Sequence, residues 1–133
     1  MPGAVLRISG RKNAVSRFLA KTSWKPLTVY WKHAPRLKSS TRTSAVNGFN
    51  VSVSAARGVD LSGQIRDARR FLRRYAGELR RMNQLRLSGV LDFGAEVQHE
   101  GGPAYFRFRH ELIADLAMYG IELEVSYYGK ASE

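Results

Sequence analysis

The stretch after Asp60, LSGQIRDARRFLRRYAGELRRM, constrains the fold more than any other, because Leu61, Ile65, Ala68, Leu72, Tyr75, Ala76 and Leu79 recur in it at spacings of three and four. Side chains so spaced share one face of an α-helix, and an apolar face must be covered by a core. Asp60 stands where an N-cap is needed, its carboxylate able to accept from a free backbone N–H of the first turn. At about 100° per residue, Arg66, Arg70, Arg73, Arg74, Arg80 and Arg81 fall broadly opposite the apolar stripe and give the helix a basic outer face. Gly77 weakens such a helix without ending it.

The segments around this helix alternate with a period of two. Ala4, Leu6 and Ile8 alternate with Val5, Arg7 and Ser9; Leu27, Val29 and Trp31 with Thr28, Tyr30 and Lys32; Phe49, Val51 and Val53 with Asn50, Ser52 and Ser54. Each reads as a half-buried strand whose first-named set faces the core. A short helix capped by Asn13 fits NAVSRFLAKT, with Ala14, Val15, Phe18 and Leu19 inward. Beyond the long helix, Gly89 to Gln98 reads as a strand with Leu91, Phe93, Ala95 and Val97 inward. HEGGP is turn chemistry, and Ala104 to Phe108 (AYFRF) reads as the return strand of a hairpin. Glu111 to Tyr119 then makes a helix with Leu112, Ile113 and Leu116 inward, Gly120 taking the left-handed position after it. Ile121, Leu123, Val125 and Tyr127 alternate with Glu122, Glu124, Ser126 and Tyr128 in a last strand.

The element order is thus β-α-β-β-α-β-β-α-β. It predicts an α+β fold: a ferredoxin-like β-α-β-β-α-β core extended by β-α-β, with a mostly antiparallel sheet and the helices on one face. At 133 residues and 44% hydrophobic content, the chain suits one core rather than two, so residues 1–133 are expected to form a single domain. The segment at about 33–48 is polar and basic, without a period, and is expected to be an exposed loop.

Charge is distributed unevenly. Of 22 Lys and Arg, 18 lie between Met1 and Arg81 against 3 acids; the remaining 4 lie after Arg81 among 8 acids. The net charge of +11 therefore sits on a chain whose later part is acidic. No carboxylate precedes Asp60, so Arg7, Arg11, Lys12, Arg17, Lys21, Lys25, Lys32, Arg36, Lys38 and Arg42 must find counter-charges in the later part of the fold or on another molecule. Asp92, Glu96, Glu122 and Glu124 are expected to make an acidic, solvated sheet face. Zero cysteines exclude disulfides and thiol nucleophiles and suit a reducing compartment. The first residues lack a signal-peptide core, and no run of about 18 apolar residues exists. A soluble cytoplasmic protein without membrane contact is expected.

The sequence shows no catalytic constellation and implies no cofactor. His33, His99 and His110 lack the spacing of a helical metal pair, so no metal site is expected. HEGGP carries two glycines but no phosphate-loop Lys-Ser/Thr, and no Ser sits in a nucleophile elbow. Binding chemistry is left. The Arg face of the long helix, with Arg36, Lys38 and Arg42 of the loop, fits an acidic protein partner. Sequence-nonspecific nucleic-acid binding through the same surface is the alternative, although Val51 and Val53 stand where an RNA-recognition motif places an aromatic, and AVLRIS holds none.

From Gly48 onward, GFNVSVS, DLSGQIRDARRFL, LDFGAEV and FRFRHELIADLAMYGIELEVSYY follow in an order similar to that of a widespread family of small bacterial α+β proteins of unknown function. Members of that family sit beside polymorphic toxins and are regarded as immunity proteins. The resemblance implies a stoichiometric inhibitor that occludes a cognate toxin and needs no catalytic residue. For a basic chain, it implies a toxin with an acidic surface, reached by electrostatic steering.

Overall fold

A computed structural model describes residues 3–33, 46–96 and 105–128. Five strands and four helices follow one another as β1 (Ala4–Gly10), α1 (Lys12–Lys21), β2 (Thr28–Tyr30), β3 (Asn47–Ser54), α2 (Leu61–Arg74), α3 (Ala76–Gln84), β4 (Ser88–Glu96), α4 (His110–Met118) and β5 (Ile121–Tyr128). The strands form one sheet in the order β2-β3-β1-β4-β5. The β2/β3, β3/β1 and β1/β4 ladders are antiparallel, whereas β4/β5 is parallel. The chain is therefore α+β with a mostly antiparallel open sheet. The expected basic loop at about 33–48 lies mainly outside the described residues, and with it Arg36, Lys38 and Arg42.

β1 occupies the middle of the sheet and shows why period-two patterning works. Ala4, Leu6 and Ile8 are fully buried, while the Arg7 side chain keeps 36% of its surface. Phe49 and Val51 of β3 and Leu91, Phe93 and Ala95 of β4 complete the apolar side of the sheet. Against it lie Val15 and Phe18 of α1, Ala68 and Leu72 of α2, Leu79 and Met82 of α3, and Leu112 and Leu116 of α4. Trp24, Phe71 and Tyr75 extend this core as an aromatic cluster, with ring centroids 5.2 Å apart for Trp24–Phe71 and 4.7 Å for Phe71–Tyr75.

Asp60 caps α2 as expected, its Oδ1 accepting from the Gly63 N–H at 2.9 Å. Asn13 does not cap α1. The cap lies two residues earlier, at Arg11, and the Val15 N–H is already bonded to the Arg11 carbonyl, so Asn13 lies inside the first turn and is exposed. The long helix bends at Tyr75 (φ −107°, ψ 30°), dividing into α2 and α3, yet the Tyr75 N–H and carbonyl both keep helical bonds of 3.0 Å to Phe71 and Leu79.

Three expectations fail at the sheet edges. β2 is short, and Leu27 and Val29 are 61% and 42% exposed rather than core-facing, because an outermost strand has no neighbouring layer to cover it among the described residues; only Trp31 packs partly against the core. No return strand forms over Tyr105–Phe108. β4 pairs instead with β5, whose eight-residue ladder offers more backbone bonds than AYFRF could, and α4 supplies the crossover that a parallel pair requires. Phe108 still reaches the core, its ring 5.4 Å from that of Phe93. Ile113, Leu123 and Tyr127, expected inward, are 54%, 39% and 59% exposed on the β5 side of the sheet.

Two helix ends use the left-handed conformation. Gly120 after α4 has φ +63°, as its position predicts. After α3, the Leu87 N–H reaches the Met82 carbonyl and the Arg86 N–H the Asn83 carbonyl, both at 3.0 Å, which is a Schellman motif with Arg86 (φ 58°) where glycine is usual. A Cβ in this region costs about 1–2 kcal/mol. Arg86 is exposed and makes no ion pair with a described residue. Arg86→Gly is therefore expected to stabilise the fold by up to about 1 kcal/mol, read as a higher urea midpoint with unchanged m-value.

Candidate functional site: an arginine groove between α2 and α4

The α2 arginines do not form one face. Helical spacing puts Arg66, Arg69 and Arg73 on the flank of α2 that meets α4, where Arg107 and Arg109 arrive from the extended segment before α4. These five guanidinium groups line an open groove of about 330 Å³ beside Ile65 and Leu112. Carboxylates within reach are few. Arg69 Nε donates to Asp115 Oδ2 at 2.9 Å, tying α2 to α4. Glu111 Oε2 lies 3.6 Å from Arg109 Nε, and Asp67 Oδ1 lies 3.7 Å from Arg66 Nε. Arg73 Nε bonds only to the Arg69 carbonyl, and Arg107 has no ion pair with a described residue.

The Asp115 hydrogen bond holds the Arg69 guanidinium more firmly protonated than usual, so it is a fixed cation. Glu111 sits in the first turn of α4, where its own backbone N–H, then the charges of His110, Arg109 and Arg69, pull its carboxyl below the usual range. A depressed carboxyl stabilises the fold above its unfolded pKa, and that contribution disappears as pH falls through the folded value. Glu111 therefore stays ionised at neutral pH and leaves the arginines in excess.

The other expected partner-binding residues lie elsewhere. Arg70 and Arg74 line the opposite flank of α2 with Ser52, Val53 and Phe71, and Arg74 sits over the Tyr75 ring at 5.2 Å. Arg80 is exposed on α3. Arg81 turns inward, its Nη1 and Nη2 donating to the Phe18 and Arg17 carbonyls at the end of α1 while the guanidinium lies over the Phe18 ring at 5.4 Å. Its contacts are additional hydrogen bonds to carbonyls of α1, since the Phe18 carbonyl already accepts from the Thr22 N–H at 3.0 Å. Arg69, Arg107 and Arg109 were not among the expected site residues. Alternation in YFRFRH suggests a strand, but in an extended segment the same period places both arginines on one side.

On the solvent face of the sheet, Arg7 draws the acids together. Its Nη1 donates to Asp92 Oδ2 at 2.6 Å and its Nη2 pairs with Glu124, while Ser126 Oγ donates to Asp92 at 2.8 Å. Asp92 is thereby buried to 8% exposure, not solvated. Glu122 is exposed and Glu96 half-buried. Arg7 thus finds its counter-charge in the later part of the chain, as expected. Arg11, Lys12, Arg17, Lys21, Lys25 and Lys32 pair with no described carboxylate.

Among the described residues, no group of three or more His, Cys, Asp or Glu could hold a metal ion, and no helix is long and apolar enough to cross a membrane. His33 is exposed and His110 keeps 88% of its side-chain surface; His99 lies outside the described residues. Guanidinium groups present planar forks that match carboxylate or phosphate oxygens, so the chemistry of the groove is anion binding. Comparison with protein-family models, curated proteins and solved structures finds no match.

Asp115 is the main brake on this groove. Asp115→Asn should lower stability by about 1 kcal/mol or less, as for a part-exposed pair. It should also free Arg69, so that the variant leaves a heparin column at higher salt than the parent.

Proposed function

We propose that the chain is a non-catalytic binding protein that engages an acidic protein partner through the arginine groove, in the manner of a cytoplasmic immunity protein occluding a cognate toxin. The observation that carries this reading is the gathering of Arg66, Arg69, Arg73, Arg107 and Arg109 on one groove with apolar flooring from Ile65 and Leu112. Arginine beside partly buried apolar surface is the composition of a protein-binding hot spot. The resemblance from Gly48 onward supports the immunity-type role, and the order β2-β3-β1-β4 supports a ferredoxin-like core to which α4 and β5 are appended.

Nucleic-acid binding is a second reading, favoured by one feature: Tyr105, 84% exposed, falls by the same period on the side of Arg107 and Arg109, where an aromatic ring could stack on an unpaired base. A sheet platform of the RNA-recognition type is a poor fit, since Phe49 is fully buried.

Charge reversal tests the site that both readings share, and the identity of what co-purifies separates them. Arg66→Glu, Arg73→Glu and Arg107→Glu combined spare Arg69 and its structural bond to Asp115, and should weaken binding of the acidic partner at least about ten-fold, because each charged contact is worth about 1.5–3 kcal/mol. Arg80→Glu should change it little. Co-purification from the native host supplies the partner: an acidic protein at fixed stoichiometry supports inhibition, and nuclease-sensitive material of mixed length supports nucleic acid. A folded triple variant that retains full binding overturns the site.

A further inference from the structure

α4 stands between the arginine groove and a second, chemically opposite surface. On its far side, Ile113, Leu116 and Ala117 with Phe108, Ile121 and Leu123 line an open groove of about 350 Å³. Ile113 and Leu123 are 54% and 39% exposed there. This groove borders β5, an outermost strand whose ladder to β4 runs without a shift from Gly89↔Ile121 to Glu96↔Tyr128. Edge strands are ordinarily blunted by Lys, Pro, a bulge or brevity; β5 has eight residues, no Lys, no Pro and no bulge.

The two sides of β5 differ in character. Ile121 and Leu123 line the apolar groove, and Val125 and Tyr127 follow on the same side of the strand; Glu122, Glu124, Ser126 and Tyr128 project to the open face. Arg7 is the cation shared by Asp92 and Glu124, and Glu122 pairs with no described residue. The outcome is an acidic strip on a chain of net charge +11. Pairing of two β5 edges would crowd Glu122 and Glu124 of both copies into neighbouring positions, and like charges across strands are destabilising. Charge therefore selects a basic occupant over a second copy.

We propose that the outer edge of β5 takes an extended peptide segment in which Lys or Arg alternates with apolar residues, added as a further strand. Its backbone would bond to the edge of β5 that is unpaired among the described residues, its basic side chains would lie beside Glu122 and Glu124, and its apolar ones would enter the groove under α4. This surface does not depend on the arginine groove or on the partner assigned to it.

The test uses the isotope-labelled full chain and a short acetylated, amidated peptide alternating Lys with Val. Its expected result is amide shifts concentrated in Ile121–Tyr128 and methyl shifts at Ile113, with the Kd raised about five-fold or more by Glu122→Lys, an exposed change that breaks no contact of the fold. The same peptide N-methylated at every amide cannot donate from either edge, cannot extend the sheet and should not bind. The proposal is overturned by shifts that avoid β5, by equal binding of the N-methylated peptide, or by no binding at all. A concentration-dependent dimer of the free chain that Glu122→Lys disrupts would overturn it too, since the occupant would then be a second copy.

Discussion

Burial of one side of β1 is the constraint on which the other elements depend. Ala4, Leu6 and Ile8 have no exposed surface, and the strand is bonded on both edges, to β3 and to β4. A one-residue slip would carry Arg7 into the core and Leu6 into water. The register that buries Leu6 also places Arg7 within reach of Asp92 and Glu124, so a single alternation sets both the apolar and the ionic contacts of the sheet. From there α1 and α2 have one face to cover, and α4 arrives only because β5 must cross over to lie parallel to β4.

The fold was legible in the sequence wherever local period and burial agree. β1 and α2 each bury one side and β4 alternates along its buried length, so their patterns are strong, and the Asp60 cap is a short-range interaction that four residues specify. Legibility fails at the periphery. Leu27, Val29, Ile113 and Tyr127 obey the right period but lie at sheet edges, where a second layer is missing among the described residues. The hairpin expectation at YFRF failed because its alternation is indistinguishable from that of a true strand until β5 competes for the same edge of β4.

The candidate site was legible in kind but not in membership. Six arginines opposite an apolar stripe do announce a basic surface, yet a helix surface wraps around a cylinder, and its neighbours decide which residues are used. Arg81 is drawn off to bond to backbone carbonyls of α1, and Arg70 and Arg74 face the other flank. Arg107 and Arg109 join from a segment far away in sequence. Such a convergence is a tertiary fact that no local spacing encodes.

The central place of β1 also bears on how the chain is made. β1 is made before both of its neighbours, and β4 ends at Glu96. At about 5–20 residues per second, several seconds of synthesis separate the strand from its second partner. During that interval Ala4, Leu6 and Ile8 have no complete sheet to enter. Completion of the sheet around β1 awaits long-range closure, and long-range strand pairing slows folding. The stretch before Asp60 holds no carboxylate, so the part of the chain made before β4 is more strongly positive than the finished fold, and the acids that offset it are added last.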